Sequence, residues 1–431
     1  MTQMVGPVVL RALRECPDCG QMHRIPPALP RHGVAQCLRC DGVLRRSRAN
    51  PLTRPLALAV AGLMLLAAAL ITPMLTMRFY GLGRQAAVLT GARVLQAQGT
   101  WALSAVVFLT VAVLPALRLG ALTLVLGGLR LPRPPPGLRL AFRLYERIAP
   151  WSMIEVFLIG VMVAYSQAAS YGRVQVGTAL YLLGALVLVM VTLDASLDAE
   201  AVWQALARAS PPAPEPLRAP AKGRVPIACP GCRLVSLAAA DGRDRCQRCR
   251  HRLRRRKPNS LARGWALIGA ATILYVPANV FPVMTLVYLG RGAPRTILGG
   301  VEELINRRLW PLAAIIFLAS ITVPLLKLVS LAVMMLNVHF CWAGLLRDRT
   351  RLYRMVSAIG RWSMIDVFVL SALVALVRMG IIASVHAQVG AAAFAAVVIL
   401  TMLAAESFDP RLMWDAAATP RRRALSPEHV R

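Results

Sequence analysis

Residues 151–157 read Trp-Ser-Met-Ile-Glu-Val-Phe, and residues 362–368 read Trp-Ser-Met-Ile-Asp-Val-Phe. Six of the seven positions are identical, and the remaining position exchanges one acid for another. A match of this quality within one chain of 431 residues indicates an internal duplication.

Shorter matches continue outward from this block on both sides and keep the same order in the two halves. The matched positions are 72–76 with 281–285, Trp101 with Trp310, 115–118 with 324–327, 143–145 with 351–353, 196–198 with 407–409, and Trp203 with Trp414. The whole chain is therefore a tandem repeat, and we expect two halves with the same architecture.

Eight of the nine cysteines form two copies of a paired Cys-x-x-Cys pattern, one before each half. The first copy contains Cys16, Cys19, Cys37 and Cys40, and the second contains Cys229, Cys232, Cys246 and Cys249. Four thiolates on two tight turns suit a structural tetrahedral Zn²⁺ site in a ribbon domain. An all-thiolate iron site has the same geometry, so the sequence leaves the metal open. We expect His23, His32 and His251 to be solvated rather than ligating.

The composition indicates an integral membrane protein, because 57% of the residues are hydrophobic and only 16% are charged. Apolar stretches of about 20 residues match the thickness of a bilayer core. We predict an all-α polytopic fold with four transmembrane helices in each half. The predicted spans are 56–77, 100–128, 150–170, 174–197, 262–289, 310–336, 362–385 and 389–406.

These patterns divide the chain into six predicted regions. They are a four-cysteine ribbon at 1–55, a first transmembrane repeat at 56–207, a Pro-rich linker at 208–221, a second ribbon at 222–260, a second transmembrane repeat at 261–416, and a basic tail at 417–431. An even number of spans in each half returns the chain to its starting side, so the repeats should run parallel.

The net charge of +31 is distributed unequally about the predicted spans. Of the 50 Lys and Arg residues, 38 fall on the side of the ribbons and 8 on the opposite side. Positively charged loops stay in the cytoplasm, so both ribbons and both termini should be cytoplasmic. Anionic headgroups can partner this charge, which favours a membrane surface over nucleic acid.

Ionisable residues inside predicted spans recur at matching repeat positions, and such groups are costly in a bilayer. Arg118 and Lys327 lie on the second span of each half, and Glu155 and Asp366 on the third. We predict that Arg118 faces Glu155 and that Lys327 faces Asp366. A Lys–Asp pair can lose its charges by proton transfer more readily than an Arg–Glu pair, which favours the second half as the working half.

Other polar features in the spans support this choice. Pro115 and Pro324 each precede the basic residue by three positions and should open a local gap in helical hydrogen bonding. Asn279 and Ser363 add polar groups to the second half. The chain contains neither a phosphate-binding P-loop motif nor a Gly-x-Ser-x-Gly nucleophile elbow, so we do not expect an enzyme.

The paired ribbons, the Trp-Ser-Met-Ile-acid-Val-Phe blocks and the Ser-Phe-Asp-Pro-Arg-Leu-Met-Trp-Asp stretch at 407–415 together resemble the paraquat-inducible protein A family. The resemblance covers roughly residues 14–416. The family's intramembrane basic and acidic residues would fall on Lys327 and Asp366, and its ribbon cysteines on all eight cysteines above. The first half departs from the family, since Arg118 and Glu155 replace a Lys/Asp-type pair and Leu-Asp-Ala at 197–199 replaces Phe-Asp-Pro.

The resemblance implies an inner-membrane protein of Gram-negative bacteria. Members work with a membrane-anchored MCE-domain protein that forms a tunnel across the periplasm, and they move phospholipids between the bilayer and that tunnel. Two other functions fit the same residues: a membrane-bound metal or redox sensor that signals through the ribbons, and a scaffold for the partner.

Overall fold

In the computed structural model, the described residues are 13–26, 30, 33–79, 82–169, 173–209, 224–239, 242–288, 291–306, 308, 310–342, 344–377 and 383–424. Nearly all of the predicted linker, and His32, lie outside them. Eight helical segments are long and apolar enough to cross a membrane, four in each half, as the sequence predicts. The chain is therefore a multi-pass membrane protein.

The first half contains a ribbon, four spans and a small sheet. Its elements are β1 (Leu13–Glu15), β2 (Met22–Arg24), β3 (Val34–Gln36), β4 (Val43–Arg46), α1 (Thr53–Ile71), β5 (Pro73–Phe79), β6 (Leu82–Ala87), α2 (Thr90–Ala97), α3 (Trp101–Phe108), a π-helix (Leu109–Val113), α4 (Leu114–Gly128), α5 (Leu138–Ile148), a 3₁₀ turn (Ala149–Trp151), α6 (Ile154–Ala168), β7 (Arg173–Val176), α7 (Thr178–Ser196) and α8 (Ala199–Ala209).

The second half repeats this order, except that an isolated bridge between Arg245 and Arg252 takes the place of the ribbon's second pair of strands. Its elements are β8 (Arg224–Ala228), β9 (Val235–Ala239), α9 (Ser260–Val280), β10 (Met284–Tyr288), β11 (Arg291–Arg295), α10 (Ile297–Asn306), α11 (Trp310–Phe317), a π-helix (Leu318–Thr322), α12 (Val323–His339), α13 (Leu346–Ile359), a 3₁₀ segment (Gly360–Met364), α14 (Ile365–Leu376), β12 (Ala383–Ala387), α15 (Val389–Ser407) and α16 (Arg411–Ala424).

A three-stranded antiparallel sheet caps each half at the end of the spans remote from the ribbons, which we call the sheet end. The strand orders are β6-β5-β7 and β11-β10-β12. Four predicted helices are therefore too long: α1 ends at Ile71, α9 at Val280 and α14 at Leu376, and α7 begins at Thr178 because the predicted start of that span is strand β7. The chain passes into extended backbone at Thr72 after α1 and at Phe281 after α9. Hydropathy does not distinguish an apolar strand from the last turns of an apolar helix.

The two halves meet along α6 and α14, the third spans. Their phenylalanines Phe157 and Phe368 pack edge to face with ring centroids 5.6 Å apart. A Cβ atom on Gly160 would lie 2.8 Å from the Cβ of Phe368, so glycine permits this close approach. All ten α14 residues after Asp366 are buried, as are Ile365 before it and Val377 just beyond the helix, which places α14 at the centre of the molecule.

The two ribbons are exchanged between the halves. The first ribbon, formed by β1–β4, packs against α13 and α16 of the second half, where Arg354 donates to Asp18 at 2.7 Å. The Arg39 guanidinium lies over the ring of Trp414 at 4.3 Å. The second ribbon packs on α5 and α8 of the first half, where Arg248 donates twice to Glu200 at 2.7 and 3.0 Å. Each ribbon therefore braces the bundle of the other repeat.

Candidate functional site

The second span of each half is interrupted by one turn of π-helix, directly before the predicted proline. These turns cover Leu109–Val113 and Leu318–Thr322. Proline has no N–H to complete the preceding helical turn, so Pro115 and Pro324 account for the break. Such π-turns leave carbonyl groups available to other partners and are frequent at functional sites. The gap in helical hydrogen bonding that the prolines predict is therefore present in both halves.

In the second half, one of these carbonyls has found a partner on the neighbouring span. Tyr275 of α9 donates its hydroxyl to the Ile321 carbonyl at 3.3 Å. Asn279 donates to the Tyr275 carbonyl at 2.8 Å, within its own helix. Asn279 thus stabilises the helix that carries Tyr275, and among the described residues it forms no hydrogen bond with Lys327 or Asp366.

Arg118 in the first half forms an ion pair with Asp194 of α7. Its guanidinium also lies 5.6 Å from the Tyr145 ring centroid. The predicted pair with Glu155 is therefore wrong, and Glu155 makes no ion pair among the described residues. Asp194 lies two residues before the ribbon end of α7, and Glu155 lies in the first turn of α6, which also begins at the ribbon end, so depth along the span does not decide which carboxylate Arg118 meets.

Lys327 in the second half is buried and hydrogen-bonds only to neutral oxygens among the described residues. Its ammonium donates to the Gly360 carbonyl at 3.2 Å and to the Ser363 hydroxyl at 3.5 Å. The predicted ion pair between Lys327 and Asp366 is wrong in this structure. The 3₁₀ segment presents Gly360 and Ser363 to the lysine, and Asp366 comes one turn later and faces a cleft.

The repeat explains why the two basic residues differ. Asp194 corresponds to Ala405 when 196–198 is matched with 407–409. Alanine provides no carboxylate, so Lys327 lacks the counterion that Arg118 has. A buried charge without a counterion is costly in a membrane protein, so Lys327 is a candidate functional position.

A cleft of about 1050 Å³ opens in the second half, between α10 and α14, beneath the sheet formed by β10 and β12. Most of its lining is apolar, for example Leu304, Val369 and Leu373. Asp366 and Ser320 lie together on its lining, and Ser320 belongs to the π-turn. The Oδ2 atom of Asp366 is buried and has no hydrogen-bond partner among the described residues. The cleft thus combines a large apolar surface with an available carboxylate.

An ion pair contributes a second polar region to this cleft. Arg295 at the end of β11 pairs with Glu303 of α10, and both line the cleft. The strand and helix lie at the sheet end, because α9 connects the ribbon to β10 across the membrane. Polar groups are therefore present at the sheet end and deeper in the span region, with apolar side chains between them.

The eight ribbon cysteines converge as the sequence predicts, into two buried clusters that could each hold a metal ion. In each cluster all four Sγ atoms lie within 4.8 Å of one another. Neighbouring sulfurs are 3.4 and 3.5 Å apart in the first cluster and 3.3 and 3.5 Å in the second. A tetrahedral ion with metal–sulfur bonds of about 2.3 Å needs sulfurs roughly 3.8 Å apart, so both clusters fit one after small adjustments.

All four knuckles share one backbone geometry. The residue after the second cysteine of each knuckle has a positive φ, namely Gly20, Asp41, Arg233 and Arg250. The N–H of this residue donates to the carbonyl of the first cysteine, at 2.8 to 3.0 Å. This turn directs both thiols of a knuckle to the same point.

The histidines near the clusters are not ligands, but one of them contacts a ligand. The Nε2 atom of His23 is 3.1 Å from the Cys37 sulfur, and the side chain is half-buried rather than solvated as predicted. A side chain that contacts a cysteine sulfur in this way orients the thiolate when it binds a metal ion. His251 is exposed, in agreement with the prediction.

Acidic residues at the ribbon end hold the exchanged arrangement together. Burial alone would raise the pKa of Asp409, but hydrogen bonds and attraction from Arg411 outweigh it and hold this pKa below its usual range. Burial likewise opposes ionisation of Glu200, and Arg248 and Arg14 together lower its pKa. Both carboxylates are therefore ionised in the folded protein at neutral pH.

Sequence reasoning missed Asp194, Ser320, Tyr275 and the Arg295–Glu303 pair. Asp194 is one of few acidic residues within a predicted span, and it could have been recognised from that fact alone. Ser320 and Tyr275 carry no sequence signal, because serine and tyrosine are common in membrane helices and only the π-turn gives them a role.

A model of the family described as paraquat-inducible protein A matches residues 52–207 and 261–418, which are the two transmembrane repeats. The chain belongs to the paraquat-inducible protein A family. It is 35% identical to lipophilic envelope-spanning tunnel protein A of Escherichia coli K12, over 94% of this chain and 91% of that protein.

Other members of the family are similarly related. Intermembrane transport protein PqiA of Escherichia coli K12 is 35% identical over 93% of this chain and 95% of that protein. A probable intermembrane transport protein of Haemophilus influenzae is 27% identical over 93% of this chain and 95% of that protein. No solved structure matches the chain at a significant level. These names associate this family with intermembrane transport.

Proposed function

We propose that this family member is the inner-membrane subunit of an intermembrane lipid transport system. It would load phospholipids into, or unload them from, a periplasm-spanning tunnel formed by an MCE-domain partner. The names of its relatives, which refer to intermembrane transport and to an envelope-spanning tunnel, support this proposal. The role is transport rather than catalysis.

The observation that carries the proposal is the cleft of the second half. Its walls are mostly apolar, and polar side chains lie on its lining at the sheet end and deeper in the span region. Acyl chains would contact the apolar walls, and the headgroup would contact the polar residues. Arg295 can attract a phosphate at the sheet end, which is the end that would face the partner.

Lys327 and Asp366 would respond to the lipid or to a proton rather than to each other. Among the described residues, each has an unmet electrostatic requirement: the lysine has only neutral acceptors, and one oxygen of the aspartate has no hydrogen-bond partner. A change in protonation or an arriving headgroup could therefore stabilise the lysine or the aspartate without first breaking an ion pair between the two, which lowers the free-energy cost of the change. The first half, with Arg118 already paired, would serve as the scaffold.

The ribbons would hold structural Zn²⁺ in the cytoplasm. Four thiolates without a position for water favour a structural over a catalytic ion. When bound, zinc would cross-link the two knuckles of each ribbon and fix the surface that packs on the other repeat. The excess of Lys and Arg at the ribbon end supports this orientation in the inner membrane.

The test compares variants of the two halves in cells and in reconstituted vesicles. Asp366→Asn and Lys327→Ala should reduce lipid exchange between vesicles and the purified partner at least tenfold while the protein level is maintained. Glu155→Gln is the matched control, because Glu155 occupies the equivalent position in the first half and has no ion pair. Its lipid exchange should be within about twofold of wild type.

Normal exchange by Asp366→Asn and Lys327→Ala at normal protein level would contradict the functional role of these residues. Loss of exchange in Glu155→Gln to the same extent would contradict the assignment of transport to the second half.

A further inference from the structure

A second cleft, of about 970 Å³, lies at the ribbon end and is lined by nine basic residues with no acidic side chain. It is formed by the second ribbon, α5, α16 and the segment before α9. Its lining consists of Arg143, Pro230, Arg245, Arg250, His251, Arg252, Arg254, Arg256, Lys257, Pro258 and Arg411. We call it the basic cleft.

Only part of this charge is neutralised within the protein. Arg256 pairs with Asp415 and Glu15, and Arg411 pairs with Asp409 and Glu15. Arg143, Arg245, Arg250, Arg252 and Arg254 form no ion pair among the described residues. The Nε atom of Arg143 is buried and has no hydrogen-bond partner. A concave surface that gathers unpaired cations strongly favours an anion.

The internal repeat shows what is missing from the basic cleft. In the first ribbon, Asp41 follows the last cysteine and accepts from Arg351 of α13 at 3.0 Å. The residue equivalent to Asp41 is Arg250, and the residue equivalent to Arg351 is Arg143. A carboxylate–arginine contact in one half is thus replaced by two arginines lining one cleft in the other.

The same replacement extends along the segment that follows. Gly42, Val43 and Ser47 of the first ribbon correspond to His251, Arg252 and Arg256 of the second. Positively charged loops are expected everywhere on this side of a membrane protein, but the first ribbon has glycine, valine and serine at these three positions. The concentration of charge is specific to the second ribbon.

We infer that the basic cleft binds a phosphate-bearing anion, whose oxygens take the position that the Asp41 carboxylate occupies in the other half. Guanidinium groups bind phosphate with paired hydrogen bonds, and several arginines together favour a doubly charged or extended phosphate group. Two sources share this chemistry: the headgroup of an anionic phospholipid and a soluble phosphate compound.

The position of the basic cleft makes the lipid headgroup accessible. Lys257 and Pro258 directly precede α9, which crosses the membrane, and Arg143 lies on the amphipathic α5 that leads into the third span. The floor of the basic cleft therefore lies where two spans begin. This site is separate from the transport cleft, which lies beneath the sheet formed by β10 and β12.

The experiment uses the full-length, metal-loaded protein and measures its thermal unfolding temperature, Tm. One arm compares nanodiscs of phosphatidylcholine alone with nanodiscs that also contain phosphatidylglycerol. The other arm adds pyrophosphate to protein in neutral detergent, against sodium chloride of equal ionic strength. Ligand binding to the folded state should raise the Tm of the wild type by about 2 °C or more in at least one arm. The arm that responds identifies the source of the phosphate.

Arg250→Asp recreates the residue of the first ribbon at this position. Asp41 and Arg250 have φ values of 59° and 60°, a left-handed conformation that aspartate tolerates well. The variant should have a higher Tm than wild type in neutral lipid, because the new carboxylate can pair with Arg143. Its response to phosphate should fall to less than half of the wild-type shift.

Arg255→Asp is the matched control, since Arg255 is exposed, lies outside the basic cleft and carries the same charge change. It should respond like wild type. Arg143→Gln provides the test if Arg250→Asp does not accumulate, and it should also lose the response. The inference is wrong if the wild type responds in neither arm, or if Arg255→Asp loses as much response as Arg250→Asp.

Discussion

The two halves share one architecture, yet they treat the same intramembrane cation in opposite ways. Arg118 is closed into a pair with Asp194, whereas Lys327 faces only a carbonyl and a hydroxyl. A single exchange, Asp194 for Ala405, accounts for this difference. A duplicated fold can therefore keep one copy stable while the other keeps a charge available.

The sheet ends of the two halves differ in a similar way, because the first is closely packed and the second is open. In the first half, α2 packs directly on the central helix α14: a Cβ atom on Gly91 would lie 2.2 Å from the Ser371 hydroxyl. Gln98 extends this contact by donating to the Val385 carbonyl and accepting from the Ala387 amide in β12. In the second half, the equivalent helix α10 instead borders the open cleft. The first half thus supports the surface on which the second half opens.

The largest effect should come from breaking the metal clusters one at a time. Cys40→Ser should loosen α13 and α16 of the second half, and Cys249→Ser should loosen α5 and α8 of the first, because the ribbons are exchanged. Structural zinc contributes on the order of 10 kcal/mol to the folding of small domains, so most of the protein should be lost from the membrane. Protein level and hydrogen exchange of the purified remainder measure these effects.

Cys341→Ser is the control for this experiment, since Cys341 belongs to neither cluster. It should leave the protein level and the hydrogen exchange of the purified protein unchanged. Normal protein level with altered activity in the cluster variants would favour the sensor function instead.

An intermediate effect should follow from two substitutions that give each position the side chain of its repeat equivalent, Asp194→Ala and Ala405→Asp. Asp194→Ala leaves buried Arg118 without a carboxylate and should lower the free energy of unfolding by about 1–3 kcal/mol, given that Asp194 is half-exposed. Ala405→Asp should supply Lys327 with a counterion and reduce lipid exchange several-fold with little loss of Tm. Ala405→Asn tests whether size alone has the same effect. The distinction between the halves would be removed if Asp194→Ala lost as much lipid exchange as Ala405→Asp, beyond the loss that its lower stability explains.

The smallest effect should be a pH dependence of the ribbon end. Because the pKa of Asp409 is lowered on folding, its contribution to stability is present above the unfolded pKa of about 3.9 and is lost as pH falls through the folded value. The Tm of wild type should therefore decrease below about pH 4 more steeply than that of Asp409→Asn. Parallel decreases in the two proteins would show that Asp409 contributes nothing to this dependence.

Much of the fold could be predicted because hydropathy and repetition are recorded directly in the sequence. The eight spans and the two cysteine clusters follow from apolar stretches of membrane length and from the spacing of Cys-x-x-Cys pairs. The small sheets could not be found this way, because strands such as β10 contain no charged residue and follow an apolar helix. Ribbon exchange was equally hidden, since adjacency in sequence suggests that each ribbon packs on the bundle that follows it.

The site was predicted at the level of residues but not of partners. Lys327 and Asp366 were recognised because ionisable groups are rare in spans, and depth along each helix suggested that they meet. Depth does not specify rotation about the helix axis. The 3₁₀ segment before α14 sets that rotation, and it presents Ser363 rather than Asp366 to the lysine.

The exchanged ribbons also determine the order in which the molecule can be completed during synthesis. The first ribbon leaves the ribosome first, but it packs against α13 and α16, which follow the sixth and the eighth spans. Domains generally fold as they emerge from the ribosome. Here the first ribbon must instead wait, with its packing surface uncovered, until the eighth span has been inserted. The contact between Arg39 and Trp414 therefore forms only in a chain that has been made to its end.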